Sequence, residues 1–185
     1  MRLIIIGGSA GSFNLILSIL KGLDKEMNTP VVIVLHRLKN TTTILEDYLQ
    51  LQSHYIVKEA EDKEFVKEGY IYTAPSDYHL LLNENLSFSL DASEEVNYSR
   101  PSIDVSFESF SYVLKENCCG ILLSGANEDG AMGLKIIAEN GGETIVQDSN
   151  EAEYAAMPQA AIELYKKHTV FTINDIIKKM NCYAK

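Results

Sequence analysis

Apolar positions in this chain come in two alternating patterns. Short unbroken runs, such as Leu3-Ile4-Ile5-Ile6 and Val31-Val32-Ile33-Val34-Leu35, read as buried strands. Between them lie segments with apolar residues every three or four positions, as in Phe13, Ile16, Leu17 and Leu20, which read as one helix face. Strand and helix alternate in this way to about residue 50. Short strands are predicted at 55–57 and 70–73, then a hairpin of 79–82 with 86–90 around Asn83-Glu84-Asn85. A helix over 102–116 follows, with Pro101 expected at its first turn. The remainder reads as strand 120–124, helix 131–140 with Met132, Ile136 and Ile137 facing inward, strand 143–147, helix 153–166, strand 169–171 and helix 174–181. Repeated strand–helix units predict an α/β fold: a doubly wound, mostly parallel sheet with an antiparallel hairpin appended. No repeat, low-complexity tract or linker breaks the pattern, so a single domain over 1–185 is expected.

Three of the strand ends carry chemistry. Gly7-Gly8-Ser9-Ala10-Gly11 is a G-x-S-x-G directly after the first strand, a pattern that can expose a serine hydroxyl on a sharp strand-to-helix turn. The second strand ends in His36. In a parallel sheet both tips lie on one edge, about 4.8 Å apart when the strands are neighbours. The run ending at Ser124 opens into Gly125-Ala126-Asn127-Glu128-Asp129-Gly130, where Asp129, with Glu128 as its immediate rival, can cap the next helix or orient a histidine. Two other readings of the glycine-rich turn fail. No register supplies the three glycines of a dinucleotide fingerprint, and no Gly-Lys-Ser/Thr follows as a phosphate loop requires.

With these stretches in view, the chain resembles the catalytic domain of the chemotaxis protein-glutamate methylesterases, the CheB family. The likeness runs through IIIGGSAGS, PVVIVLHR, EAEDKEFVKEGYIYTAPSDYHLLL, NYSRPSIDVSFESF, GILLSGANEDGAMGLKIIAENGGETIVQD and EAEYAAMPQAAI. The resemblance implies that Ser9 is the nucleophile, His36 the base and Asp129 its partner. It implies hydrolysis of glutamate γ-methyl esters on chemotaxis receptors, with receptor glutamine deamidation as a second activity. Backbone N–H groups of Ala10 and Ala126 are expected to form the oxyanion hole. Arg37, His79 and Arg100 are candidates for the substrate cleft, with a structural role the favoured reading for His79 and Arg100. His54 and His168 read as surface positions. Neither a cofactor nor a metal is called for.

The sequence departs from the family pattern in places. Ala10 stands where a threonine is common, and the 125–130 loop has Ala126 and Asn127 where the family has methionine and glycine. The family's usual N-terminal receiver domain is not matched: the first strand ends in glycines and serine rather than clustered acids. Phosphorylation control within these residues is therefore not expected, and a separate regulatory protein is the alternative. A binding module that docks a receptor or methyltransferase without turnover, or an esterase or amidase for another substrate, are the rival functions.

Composition narrows the partners. The formal charge of −10 argues against nucleic acid. Attraction to acidic receptor surfaces would need a local patch such as Arg37 with Lys39. No stretch approaches the roughly 18 apolar residues of a membrane span. No signal peptide is expected, because residues 1–20 lack a basic start and a long apolar run. The three cysteines, at 118, 119 and 182, read as buried free thiols of a cytoplasmic protein.

Overall fold

The computed structural model describes residues 1–37 and 45–184. Its strands are β1 (Leu3–Gly8), β2 (Val31–Leu35), β3 (Ile56–Glu59), β4 (Tyr70–Thr73), β5 (His79–Leu82), β6 (Phe88–Asp91), β7 (Cys118–Leu122), β8 (Glu143–Gln147) and β9 (Thr169–Phe171). Its helices are α1 (Phe13–Gly22), α2 (Leu45–Leu51), α3 (Ile103–Leu114), α4 (Ala131–Glu139), α5 (Ala156–Leu164) and α6 (Ile173–Asn181). Seven strands form a parallel sheet in the order β3-β4-β2-β1-β7-β8-β9, and β5 pairs antiparallel with β6 beside it. This is the α/β, mostly parallel arrangement expected from the alternating patterns. The chain winds outward from β1 on one side and from β7 on the other. The strand order therefore reverses between β1 and β7, the place where open α/β sheets build their sites.

The period of two in the strands sorts the core into two layers. Leu3 and Ile5 pack with Phe107, Leu134 and Ala161, so α3, α4 and α5 cover one face. Ile4 and Ile6 pack with Ile16, Leu49 and Ile176, so α1, α2 and α6 cover the other. Strands covered on both faces are apolar throughout, which is why they read as unbroken runs. Among the described residues no helix is long and apolar enough to cross a membrane.

Several expectations are corrected. Of the α4 residues expected to face inward, Ile137 is buried as expected, but Ile136 is half-buried and Met132 is 48% exposed, and Ala131 and Leu134 join Ile137 in the core. Phe13, the first residue of α1, lies outside the buried face formed by Ile16, Ile19 and Leu20. β7 begins at Cys118, two residues earlier than expected, because both cysteines pair with β1. Cys118 and Cys119 are buried, but Cys182 is exposed beyond the end of α6. Pro101 precedes the cap of α3 rather than sitting in its first turn; its peptide bond to Arg100 is cis. His168 is buried, not on the surface. Its Nδ1 lies 2.8 Å from Thr144 Oγ1, and burial pushes its pKa down to about 4.

One close approach sets the spacing of the layer over the site. Gly133 of α4 lies against α3, where an added Cβ would sit 2.8 Å from the Asp104 carbonyl oxygen and 2.7 Å from Phe107 Cβ. The backbone atom cannot step aside, so alanine there must push the helices apart. Gly133→Ala is expected to lower unfolding stability by about 1–3 kcal/mol in urea titrations, as overpacking does. An unchanged midpoint would contradict the close-packed contact.

Candidate active site

The turn after β1 is held from both sides. The ladder continues past β1, with Ser9 N–H donating to Ser124 O at 2.9 Å and His36 N–H donating to Gly8 O at 3.3 Å. Ser12 donates twice to Ser9 O, from its N–H at 3.1 Å and its hydroxyl at 2.6 Å. Ser124 Oγ donates to Ala10 O at 2.8 Å and accepts from Tyr154 N–H at 2.9 Å. Of the three motif glycines only Gly11 takes a positive φ, +77°, which an L side chain would resist. The turn therefore leaves the Ser9 side chain partly exposed at the strand tip while every bond around it is backbone-anchored.

The β1–β2 register aligns Gly8 with Leu35, so Ser9 and His36 come side by side. His36 Nδ1 lies 3.1 Å from Ser9 Oγ, and His36 Nε2 lies 2.7 Å from Asp129 Oδ2. Asp129 is fully buried. Its carboxylate can only accept, so Nε2 carries the proton and Nδ1 is left to accept from the Ser9 hydroxyl. The ring is turned the opposite way from the serine-protease template, in which Nε2 faces the serine.

Asp129 has a further set of donors. Oδ2 accepts from Ile103 N–H at 2.7 Å. Oδ1 accepts from Ser102 Oγ at 2.8 Å, Asn97 Nδ2 at 3.0 Å and Asp104 N–H at 3.2 Å. Ile103 and Asp104 open α3, so the carboxylate sits on that helix N-terminus, where free N–H groups and the dipole favour an anion. Burial pushes the Asp129 carboxyl up, but the bonds from His36, Asn97, Ile103 and Ser102 together hold it below the usual carboxylate range. A permanent anion under the imidazole is the chemical result.

The other candidates are placed as follows. The N–H groups of Ala10 and Ala126 make no hydrogen bond among the described residues, and Ala126 is exposed. Asn127 does not take a positive φ; its Oδ1 accepts from Asp129 N–H at 3.3 Å and helps shape the loop. His79 does not line a cleft. It is buried, with Nδ1 accepting from Ser102 N–H at 3.1 Å and Nε2 donating to Glu94 O at 3.0 Å. Arg100 donates to the carbonyls of Ala92 and Ser93 at 2.7 and 2.6 Å, which makes it a loop clamp. Arg37 is ion-paired with Glu46 and Glu59, both at 3.1 Å, so it supplies no outward positive patch. Lys39 lies outside the described residues. No group of three His, Cys, Asp or Glu side chains among the described residues is placed to hold a metal.

Comparison with known proteins now bears on the site. The family model for CheB methylesterase matches residues 4–180. The chain belongs to the CheB methylesterase family. That match leaves no stretch of these 185 residues for a receiver domain. A Leptospira interrogans protein is 44% identical over 173 residues, covering 94% of this chain and 90% of its own length. The protein-glutamate methylesterase/protein-glutamine glutaminase 2 of Anaeromyxobacter dehalogenans is 32% identical over 95% of this chain but only 51% of its own length. The crystal structure of the Thermotoga maritima CheB methylesterase catalytic domain superposes with a TM-score of 0.92 at 32% identity, covering 97% of each chain.

Three residues of this CheB-family site were not assigned roles from the sequence. Ser102 caps α3, accepting from Val105 N–H at 3.4 Å, and Ser-x-x before an apolar run is a readable signal for it. Asp104, two residues on, meets the start of α4. Asn97 sits in a loop at φ 53° and leaves no signal in the sequence.

The Asp129 anion also makes a stability prediction. Its folded carboxyl is held below the ordinary value, so its contribution is complete above that value and is lost as pH falls toward the depressed one. The stability gap between wild type and Asp129→Asn in urea unfolding is expected to shrink as pH falls from about 5 to about 3. A gap that widens on acidification would contradict the assignment of a stabilised anion.

Proposed function

We propose that this chain hydrolyses γ-methyl esters of glutamate side chains on chemotaxis receptors, and deamidates receptor glutamines by the same route. The observation that carries the reading is the unbroken series Ser9 Oγ, His36 Nδ1, His36 Nε2, Asp129 Oδ2 at the switch point of the sheet. The family and the names of its relatives support the ester and amide chemistry.

His36 Nδ1 takes the hydroxyl proton as Ser9 Oγ attacks the γ-carbonyl carbon. The carbonyl oxygen becomes an oxyanion that accepts from the N–H groups of Ala10 and Ala126, which have no other partner among the described residues. The imidazolium is stabilised by Asp129 and returns its proton to the departing methoxide, releasing methanol. Water then repeats the sequence on the acyl-enzyme: His36 takes its proton, hydroxide adds, and Ser9 leaves with that proton. With a glutamine side chain the leaving group is ammonia. Ala10 retains the N–H of the usual threonine position, so the hole survives that substitution.

A protein-borne substrate fits the surroundings. A depression of about 440 Å³, lined by Tyr98, Asn127, Glu128 and Asp129 among others, opens beside the site, and Tyr98 is 98% exposed. Such an open setting admits a side chain presented on another protein. We place the activity in the cytoplasm, where the receptor's signalling portion lies. The intact series of serine, histidine and buried aspartate favours turnover over the docking-module alternative.

The test is release of labelled methanol from methyl-labelled receptor. Ser9→Ala and His36→Ala are each expected to lower turnover by about 10⁴-fold or more, and the double variant to fall little further, because the pair acts as a unit. Asp129→Ala is expected to cost less. Full turnover by folded Ser9→Ala would put the nucleophile elsewhere.

A further inference from the structure

The two helices over the site cap each other crosswise. Asp129 precedes α4 yet accepts from the first N–H groups of α3. Asp104 lies in the first turn of α3 yet accepts from Gly130 N–H at 2.9 Å and Gly133 N–H at 2.6 Å, at the start of α4. One amide group joins the two carboxylates: Asn97 Nδ2 donates to Asp104 Oδ2 at 2.9 Å and to Asp129 Oδ1 at 3.0 Å. We propose that Asp104 is a positioning residue for ester cleavage: through Gly130, Gly133 and Asn97 it fixes where the Asp129 carboxylate stands, and so where His36 points. The proposal rests on the functional reading above.

A fold-only cap would not need to be a carboxylate. A neutral side-chain oxygen accepts from helix N–H groups as well. Here burial, joined by the Asp129 anion, pushes the Asp104 carboxyl up to about 6 against the lowering bonds from Gly133, Gly130 and Asn97. The ionisable groups near Asp104 are acidic: Asp129 shares Asn97 with it, and Glu128, Glu108 on α3 and Glu163 on α5 line the same groove. Among the described residues, no lysine or arginine lines the 720 Å³ groove that Asp104 shares with the three glutamates. At neutral pH the anion therefore costs the fold stability. What the carboxylate supplies and an amide does not is its second oxygen, which accepts from Asn97 while that NH₂ also serves Asp129. In Asp104→Asn the two NH₂ groups would face each other. Asn97 must then turn its carbonyl toward residue 104, and Asp129 loses a donor beside His36.

The experiment reads activation of Ser9 without the natural substrate. Wild type, Asp104→Asn and Asn97→Ala are inactivated with a serine-directed phosphonate, and the maximal inactivation rate is separated from the reagent's apparent affinity. Melting temperature is followed at pH 7.5. Asp104→Asn is expected to slow the maximal rate about 10- to 100-fold, as a misplaced group does, with affinity unchanged and melting temperature not lowered. Asn97→Ala, an exposed loop change, is expected to slow it in the same direction by a smaller factor. A wild-type rate in either variant overturns the proposal. Loss of cooperative folding by Asp104→Asn overturns it too, since Asp104 would then be a determinant of the fold. Wild type that reacts with the phosphonate but frees no methanol from receptor removes the receptor reading and leaves this comparison decisive.

Discussion

The arrangement depends on a carboxylate buried at the start of a helix. Taking the Asp129 charge out of water is expensive unless hydrogen bonds replace the solvent. Here they come from His36, Asn97, Ser102 and the backbone of Ile103 and Asp104. The same anion answers the opposite need of α3, whose opening N–H groups would otherwise have no partner. Ser102 N–H goes to His79 and Val105 N–H to the Ser102 hydroxyl, so the remaining two are left for Asp129. Fold and chemistry thus draw on one group. Removing it would orphan a helix end and leave His36 without the acceptor that sets its tautomer.

The sheet supplies the rest of the geometry. Parallel pairing puts the ends of β1, β2 and β7 on one edge, and register places Ser9 beside His36 and beside Ser124. Asp129 is seven residues beyond the end of β7, too far for the sheet alone to position. It returns to the edge because α3 and α4 are pressed together at Gly133 and capped by each other's aspartates. The Ser9–His36–Asp129 series is therefore assembled from two rigid sources, a sheet edge on one side and a helix pair on the other.

The α/β architecture was legible because strands covered on both faces must be apolar throughout, and helices covered on one face must be periodic. The structure brings together Ser9 and His36, read as polar residues at the ends of such runs, and Asp129, read from the loop that follows a third run. Exposure within helices was less so: periodicity identified an apolar stripe on α4 but could not say that Met132 lies at its open margin while Leu134 fills the core. Single polar residues were misjudged where tertiary partners decide their state. His168 is drawn inside by Thr144, and Arg37 is claimed by Glu46 and Glu59. Asn97 and Asp104 were given no role because their importance lies in contacts between segments some thirty residues apart, which no local spacing encodes.

The central claim is that His36 Nε2–H is bound to a buried Asp129 anion while Nδ1 is free to take the Ser9 proton. Proton NMR of the protein with ¹⁵N-labelled histidine tests it directly. The account predicts a low-field resonance from His36 Nε2–H that survives Ser9→Ala and disappears in Asp129→Asn. A low-field proton attached to Nδ1 instead, or a resonance indifferent to Asp129→Asn, would contradict it.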